Sequence, residues 1–145
     1  MDGVIDVFMR IAQTLVVRLA RPVIGTPLPL PTHVITRYPE LLEARWRRGG
    51  LPLRVGGWCL GQRTVAGITL GRTVFLAANV PETSQLLLHE LAHVRQFRQD
   101  KSFPLRYLME SIRRGYARNR YEVEADQFVH AIVRETDASG GEGPR

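Results

Sequence analysis

The sequence predicts an α+β domain in which a small antiparallel sheet packs on one long apolar helix and further helices. Three observations predict it. Apolar residues recur at helical spacing through residues 81–135, in three runs separated by turn residues. Between residues 51 and 77, Gly56, Gly57, Gly61, Gly67 and Gly71 punctuate short runs such as Thr64-Val65-Ala66 and Thr73-Val74-Phe75-Leu76. The strands are thus grouped between helices rather than alternating with them, which separates this layout from a doubly wound sheet. With 145 residues, 44% of them hydrophobic, the chain fits one domain with a real core, taken as residues 1–136.

Val4 to Ala20 reads as an amphipathic helix, with Val4, Ile5, Phe8, Ile11, Ala12, Leu15 and Leu19 on one face. Asp6, Arg10 and Arg18 interrupt it, whereas a membrane span needs about 20 largely uncharged residues. Asp2 and Asp6 stand where a signal peptide has its basic start. The segment 1–21 is therefore expected to dock on its own domain or on a membrane surface, and the protein is expected in the cytoplasm unless exported by a non-classical route. Pro22, Pro27, Pro29 and Pro31 make residues 22–32 a stiff, extended connector. Pro39 to Arg48 reads as a short helix, stopped by Gly49-Gly50. Leu51 to Ala77 reads as two or three antiparallel strands, with Leu70-Gly71-Arg72 a hairpin connection. Pro81 opens a helix to about Arg98, Ser102 and Pro104 cap one reaching about Arg118, and a last runs from about Tyr121 to Glu135. The Gly-rich residues 137–145 are expected to be a disordered tail.

The net charge is +6, carried almost wholly by arginine, since Lys101 is the only lysine. Only Arg45, Arg47 and Arg48 form a dense group, and no finger, helix-turn-helix or aromatic-basic motif accompanies them. No nucleic acid partner is expected. The single cysteine, Cys59, excludes an intramolecular disulfide.

The run Leu86-Leu87-Leu88-His89-Glu90-Leu91-Ala92-His93-Val94 holds an H-E-x-x-H pattern inside an apolar helix. Residues four apart lie roughly 40° apart round a helix, so His89 and His93 can aim both imidazoles at one metal ion. Glu90, roughly 100° from His89, is not a third ligand from that helix but reaches a water on the same metal. Buried imidazoles without a metal would leave two polar groups in need of partners.

A hydrolytic zinc needs a third protein ligand and an open position. Two glutamates compete in Tyr121-Glu122-Val123-Glu124-Ala125-Asp126. Glu122 and Asp126 share a helix face, whereas Glu124 lies roughly 200° from Glu122. Glu122 is preferred, because Asp126 is then placed to accept a hydrogen bond from a ligand histidine and fix its tautomer.

The pair HELAH and EVEAD resembles the gluzincin clan, in which HExxH is joined by a glutamate on a later helix. In size the chain is similar to the soluble minigluzincins. Gly67 to Phe75 (GITLGRTVF) also resembles the HExxH domain of bacterial contractile injection system cargo proteins. The likeness covers about residues 64–130. It implies a zincin-like fold, one zinc ion on His89, His93 and Glu122, Glu90 as general base, and Asp126 orienting a ligand histidine, His89 by preference. It further implies that the strand of about Arg72 to Ala77 rims the cleft, where an extended peptide would add as an antiparallel strand.

The implied activity is that of a metalloendopeptidase: zinc-activated water attacks a peptide carbonyl while Glu90 takes the proton. Tyr116 is the candidate second group on the oxyanion, and His130, roughly 12 Å along the helix from Glu122, is read as an ordinary histidine. Cys59 beside Trp58 is read as core, with a latent, thiolate-capped zinc as its functional alternative. The competing expectation is a catalytically idle zinc-binding carrier or docking module of a secretion or injection system.

Overall fold

A computed structural model describes residues 23–59 and 65–140, without the side chains of Trp58, Cys59 and the terminal Gly140. The helix expected over residues 4–20 lies outside the described residues.

Four short strands, β1 (Thr26–Pro27), β2 (Arg45–Arg48), β3 (Gly67–Leu70) and β4 (Thr73–Leu76), form one sheet in the order β1-β2-β4-β3. β3 and β4 are antiparallel, and Leu70 opposite Thr73 leaves a two-residue hairpin at Gly71-Arg72, as the sequence predicts. β2 instead runs parallel to β4, with Trp46 opposite Val74. The expectation of an antiparallel sheet is corrected to a mixed one. No hairpin joins β2 to β4, so nothing in the chain path forces them to oppose.

Within the segment expected as a connector, Thr26 pairs with Arg48 and Pro27 with Arg47. Helix α1 (Thr32–Arg37) follows it. The helix expected over Pro39–Arg48 is a 3-10 turn at Pro39–Glu43 followed by β2. Beyond Ala44 only Trp46 is apolar, so a helix there would have no face to bury, whereas the alternation of a strand buries Trp46 alone. Its Nε1 donates to the Leu41 carbonyl at 2.9 Å.

A second correction concerns Leu51–Cys59, expected as strand and found as helix α2. Pro52 sits in its first turn, where a missing N–H costs nothing. Gly56 is a contact rather than a turn signal: a Cβ there would lie 2.2 Å from Ile68 Cδ1, so the glycine lets α2 approach β3.

Helix α3 (Ser84–Gln99) starts three residues later than expected, capped by Thr83 Oγ1, which accepts the Leu86 N–H at 3.2 Å. Helix α4 (Phe103–Arg114) stops four residues short of the predicted end, because Gly115 adopts φ 78°. A 3-10 turn, Tyr116–Arg118, leads into helix α5 (Arg120–Gly140). α5 overruns the expected start of the tail at Asp137, whose carboxylate pairs with Arg37 at 2.5 Å.

The core lies between sheet and α3, where Leu41, Val74, Leu76, Leu87, Leu88, Leu91 and Val94 are fully buried. Arg48 ties the loop after β4 to β2, donating to the carbonyls of Ala77 at 3.1 Å and Ala78 at 3.0 Å and pairing with Glu82. α3 is thereby wedged against the sheet on one side and α5 on the other.

Candidate metal centre

α3 and α5 run antiparallel, and the site forms where their facing residues meet. His89 Nε2 lies 3.1 Å from Glu122 Oε2, His93 Nε2 lies 3.3 Å from Glu122 Oε1, and the two Nε2 atoms are 3.2 Å apart. The chain thus brings His89, His93 and Glu122 together, with ligand atoms within 4.8 Å of one another. His93 and Glu122 are buried, and His89 is partly so.

The far nitrogens decide what these atoms are. His89 Nδ1 is 3.0 Å from Asp126 Oδ1, and a carboxylate can only accept, so Nδ1 carries a proton. His93 Nδ1 is 2.8 Å from Gln96 Oε1. The Gln96 amide is held in that sense because its Nε2 donates to the Tyr121 carbonyl at 3.0 Å and to Glu124 Oε2 at 3.2 Å. Neutral imidazoles with protonated Nδ1 present bare lone pairs at Nε2. Two Nε2 atoms and a carboxylate facing one another are satisfied by a shared cation, a metal ion or a proton on an imidazole.

The spacing is near that of a metal site. Ligand atoms about 2.0–2.1 Å from a tetrahedral zinc are separated by about 3.3 Å. The Nε2 atoms 3.2 Å apart, and His89 Nε2 3.1 Å from Glu122 Oε2, lie near that edge length, while the 3.3 Å contact of His93 is to the other carboxylate oxygen, Oε1. The donor set, two imidazoles and one carboxylate, suits zinc. Without an ion the same clustering shows in the titration: burial disfavours the charged forms of both histidines, but the hydrogen bond and charge of Glu122 outweigh it, and both pKa values rise. Glu122 is itself desolvated, yet His89, His93 and Tyr107 hold its carboxyl far below the usual range.

Comparisons with protein-family models, with curated proteins and with solved structures each found no match.

Glu90 points out of this triangle toward the sheet. Its carboxylate is buried and its pKa is raised by desolvation, opposed by the charge of His93 and by the Thr69 hydroxyl, which donates to Oε2 at 2.9 Å. Gly67 on β3 makes the room for it: a Cβ there would lie 2.4 Å from Glu90 Oε1.

Sequence reasoning missed four contributors. Gly67 and Thr69 belong to a strand whose register cannot be read from four residues. Tyr107 donates to Glu122 Oε1 at 2.5 Å, but α4 has apolar residues on two faces, so its inward side is ambiguous until folded. Gln96 lies three residues beyond His93 on the same helix, a spacing that could have found it. Glu124, rejected as a ligand, holds Gln96 instead.

A cavity of about 980 Å3 opens over the cluster, reaching from Leu86 and Val129 on one side to Pro104 and Leu108 on the other. β3 and α2 wall it through Gly67, Ile68, Thr69 and Val55. Tyr116 lines it, half-exposed, its hydroxyl kept protonated by desolvation and by the charge of Glu122. His130 is exposed and reaches the cavity wall, apart from the three clustered residues. The rim strand expected at Arg72–Ala77 is corrected: β4 is paired on both sides and has no edge to offer, whereas β3 is an outer strand of the sheet among the described residues.

Proposed function

We propose that this protein is a zinc-dependent metallopeptidase of gluzincin type with a zincin-like fold. The observation that carries the proposal is the convergence of two imidazole Nε2 atoms and one carboxylate, with ligand atoms within 4.8 Å of one another and both far nitrogens already committed to hydrogen bonds. His89, His93 and Glu122 would hold the ion. Bound zinc supplies a Lewis acid that makes water acidic at neutral pH and polarises a carbonyl.

The chain's own groups do the rest. Glu90 accepts the proton of the attacking water at its carboxylate and returns it to the departing amine nitrogen, the raised pKa bringing it nearer the working pH of a general base. Thr69 and Gly67 hold that carboxylate in place. Asp126 and Gln96 keep both Nδ1 atoms protonated, so that Nε2 stays a ligand. Tyr107 donates to Glu122 Oε1, and Tyr116, which lines the cavity, is the candidate phenol for a developing oxyanion. A peptide or protein substrate would lie extended along the outer edge of β3, pairing by backbone hydrogen bonds.

The test is direct. Purified protein should carry one zinc per chain by mass spectrometry and cleave unstructured peptides, and Glu90→Gln should keep the zinc while losing about 10²–10⁴-fold in rate. Equal cleavage by both would sink the mechanism. Stoichiometric zinc with no cleavage by wild type would favour the carrier or docking module instead.

A further inference from the structure

The helix that brings Tyr107 to the site is inside out on its other face. Phe103, Tyr107 and Ser111, four residues apart, turn inward, and Phe103 is buried. Leu105, Met109 and Ile112 turn outward and are 65%, 53% and 71% exposed. On a helix these three fall within about 60° of arc, so they form one stripe rather than scattered apolar residues. Arg106, whose guanidinium also pairs with Asp100 at 3.1 Å, and Arg113 flank it along one side.

Charge is concentrated on the same stretch. Residues 100–120 hold Lys101, Arg106, Arg113, Arg114, Arg118 and Arg120 against Asp100 and Glu110, a net +4 of the chain's +6. An exposed apolar stripe bordered by arginine is the pattern of a helix that lies in the headgroup region of a membrane.

We propose that the outer face of α4 docks on an anionic lipid surface. Leu105, Met109 and Ile112 enter the acyl boundary while the arginines meet lipid phosphates. Charge argues against a second copy as the occupant, because two such faces would bring Arg106 and Arg113 of one chain against those of the other. Pro104 and Leu108, on the neighbouring arc of the same helix, line the cavity over His93, so docking would hold the mouth of that cavity beside the bilayer.

The experiment uses the full chain and does not depend on catalysis. Flotation is measured with vesicles of phosphatidylcholine alone and of phosphatidylcholine with phosphatidylglycerol, at low and high salt. Binding is expected only to the anionic vesicles and should fall at high salt. L105S/M109S/I112S and, separately, R106Q/R113Q should each lower the partition coefficient by about ten- to thirty-fold, with circular dichroism and zinc content unchanged. No binding to anionic vesicles overturns the proposal. So does binding that survives both α4 variants, which would assign it to another surface, and so does a concentration-dependent dimer abolished by the triple variant without any vesicle binding.

Discussion

The Glu90 carboxylate occupies the space that Gly67 leaves empty: a single carbon added at Gly67 would stand 2.4 Å from Oε1 and 2.7 Å from Cδ. The obstacle is a buried side chain with Thr69 on its other oxygen, so it has nowhere ordinary to go.

Gly67→Ala is therefore predicted to act as an indirect loss of Glu90. Peptide cleavage should fall about 10²-fold or more, while zinc content, measured on the same sample, stays at one per chain. Gly67→Ala with wild-type turnover would show that Glu90 works from another position.

Tyr107→Phe should weaken zinc binding by about 10- to 100-fold, read by competition with a chromophoric chelator. The hydroxyl on Glu122 Oε1 is removed while the ring contacts with His93, Phe103 and Tyr121 remain. The fold should thus hold and the metal affinity drop. An unchanged affinity would mean that Glu122 needs no anchor.

Gln96 and Glu124 separate ligand from support. Glu122→Ala should abolish stoichiometric zinc. Gln96→Leu should cost about 10-fold or more in affinity, because His93 Nδ1 loses its acceptor. Glu124→Ala, one bond further out, should cost less than Gln96→Leu. The reverse order, with Glu124→Ala losing zinc and Glu122→Ala keeping it, would exchange the two assignments.

What the sequence made legible follows from periodicity. A helix repeats its faces every 3.6 residues, so the pairing of His89 with His93 and of Glu122 with Asp126 could be read without a structure. The hairpin at Gly71-Arg72 was likewise local. What stayed hidden depends on which surfaces meet. Gly56 and Gly57 look like turn signals until Ile68 is seen against Gly56, and Arg45–Arg48 looks like the end of a helix until Val74 stands beside Trp46. Tyr107, Thr69 and Gly67 act across elements far apart in the chain, and no spacing rule connects them to Glu122 or Glu90.

Glu43 links the 3-10 turn to α3, with its carboxylate 2.6 Å from Arg95 and 3.0 Å from Arg98. The Arg95 hydrogen bond, opposed by partial burial and helped by the charges of Arg95, Arg98 and Arg72, lowers its pKa. A lowered folded-state pKa means that the stabilisation is complete above the ordinary glutamate range and is lost as pH falls through the folded value. Glu43→Gln should thus have a lower urea midpoint than wild type at neutral pH, and the two should converge in acid. A gap that persists below both pKa values would place the contribution in packing rather than charge.

Asn119 is the hinge between the helix that carries Tyr107 and the helix that carries Glu122. It is fully buried, its Nδ2 donates to the Tyr107 carbonyl at 3.2 Å and to Ser111 Oγ at 2.8 Å, and its Oδ1 accepts the Tyr121 N–H at 3.0 Å. Alanine there removes the cap of α5 and the amide that donates to the Tyr107 carbonyl and Ser111 Oγ on α4, a loss of about 2 kcal/mol. Ser111→Ala removes only one of those bonds and should cost less. Because the two side chains touch, the double variant should be destabilised by less than the sum of the singles, with a coupling above about 0.5 kcal/mol in urea unfolding. Zinc held by His89, His93 and Glu122 as proposed would bind only the folded chain, so saturating zinc should raise the melting temperature of Asn119→Ala even where the apo protein is marginal. Additive single losses would show that Asn119 caps α5 without holding α4, and the relation between Tyr107 and Glu122 would then have to be maintained by ring packing alone.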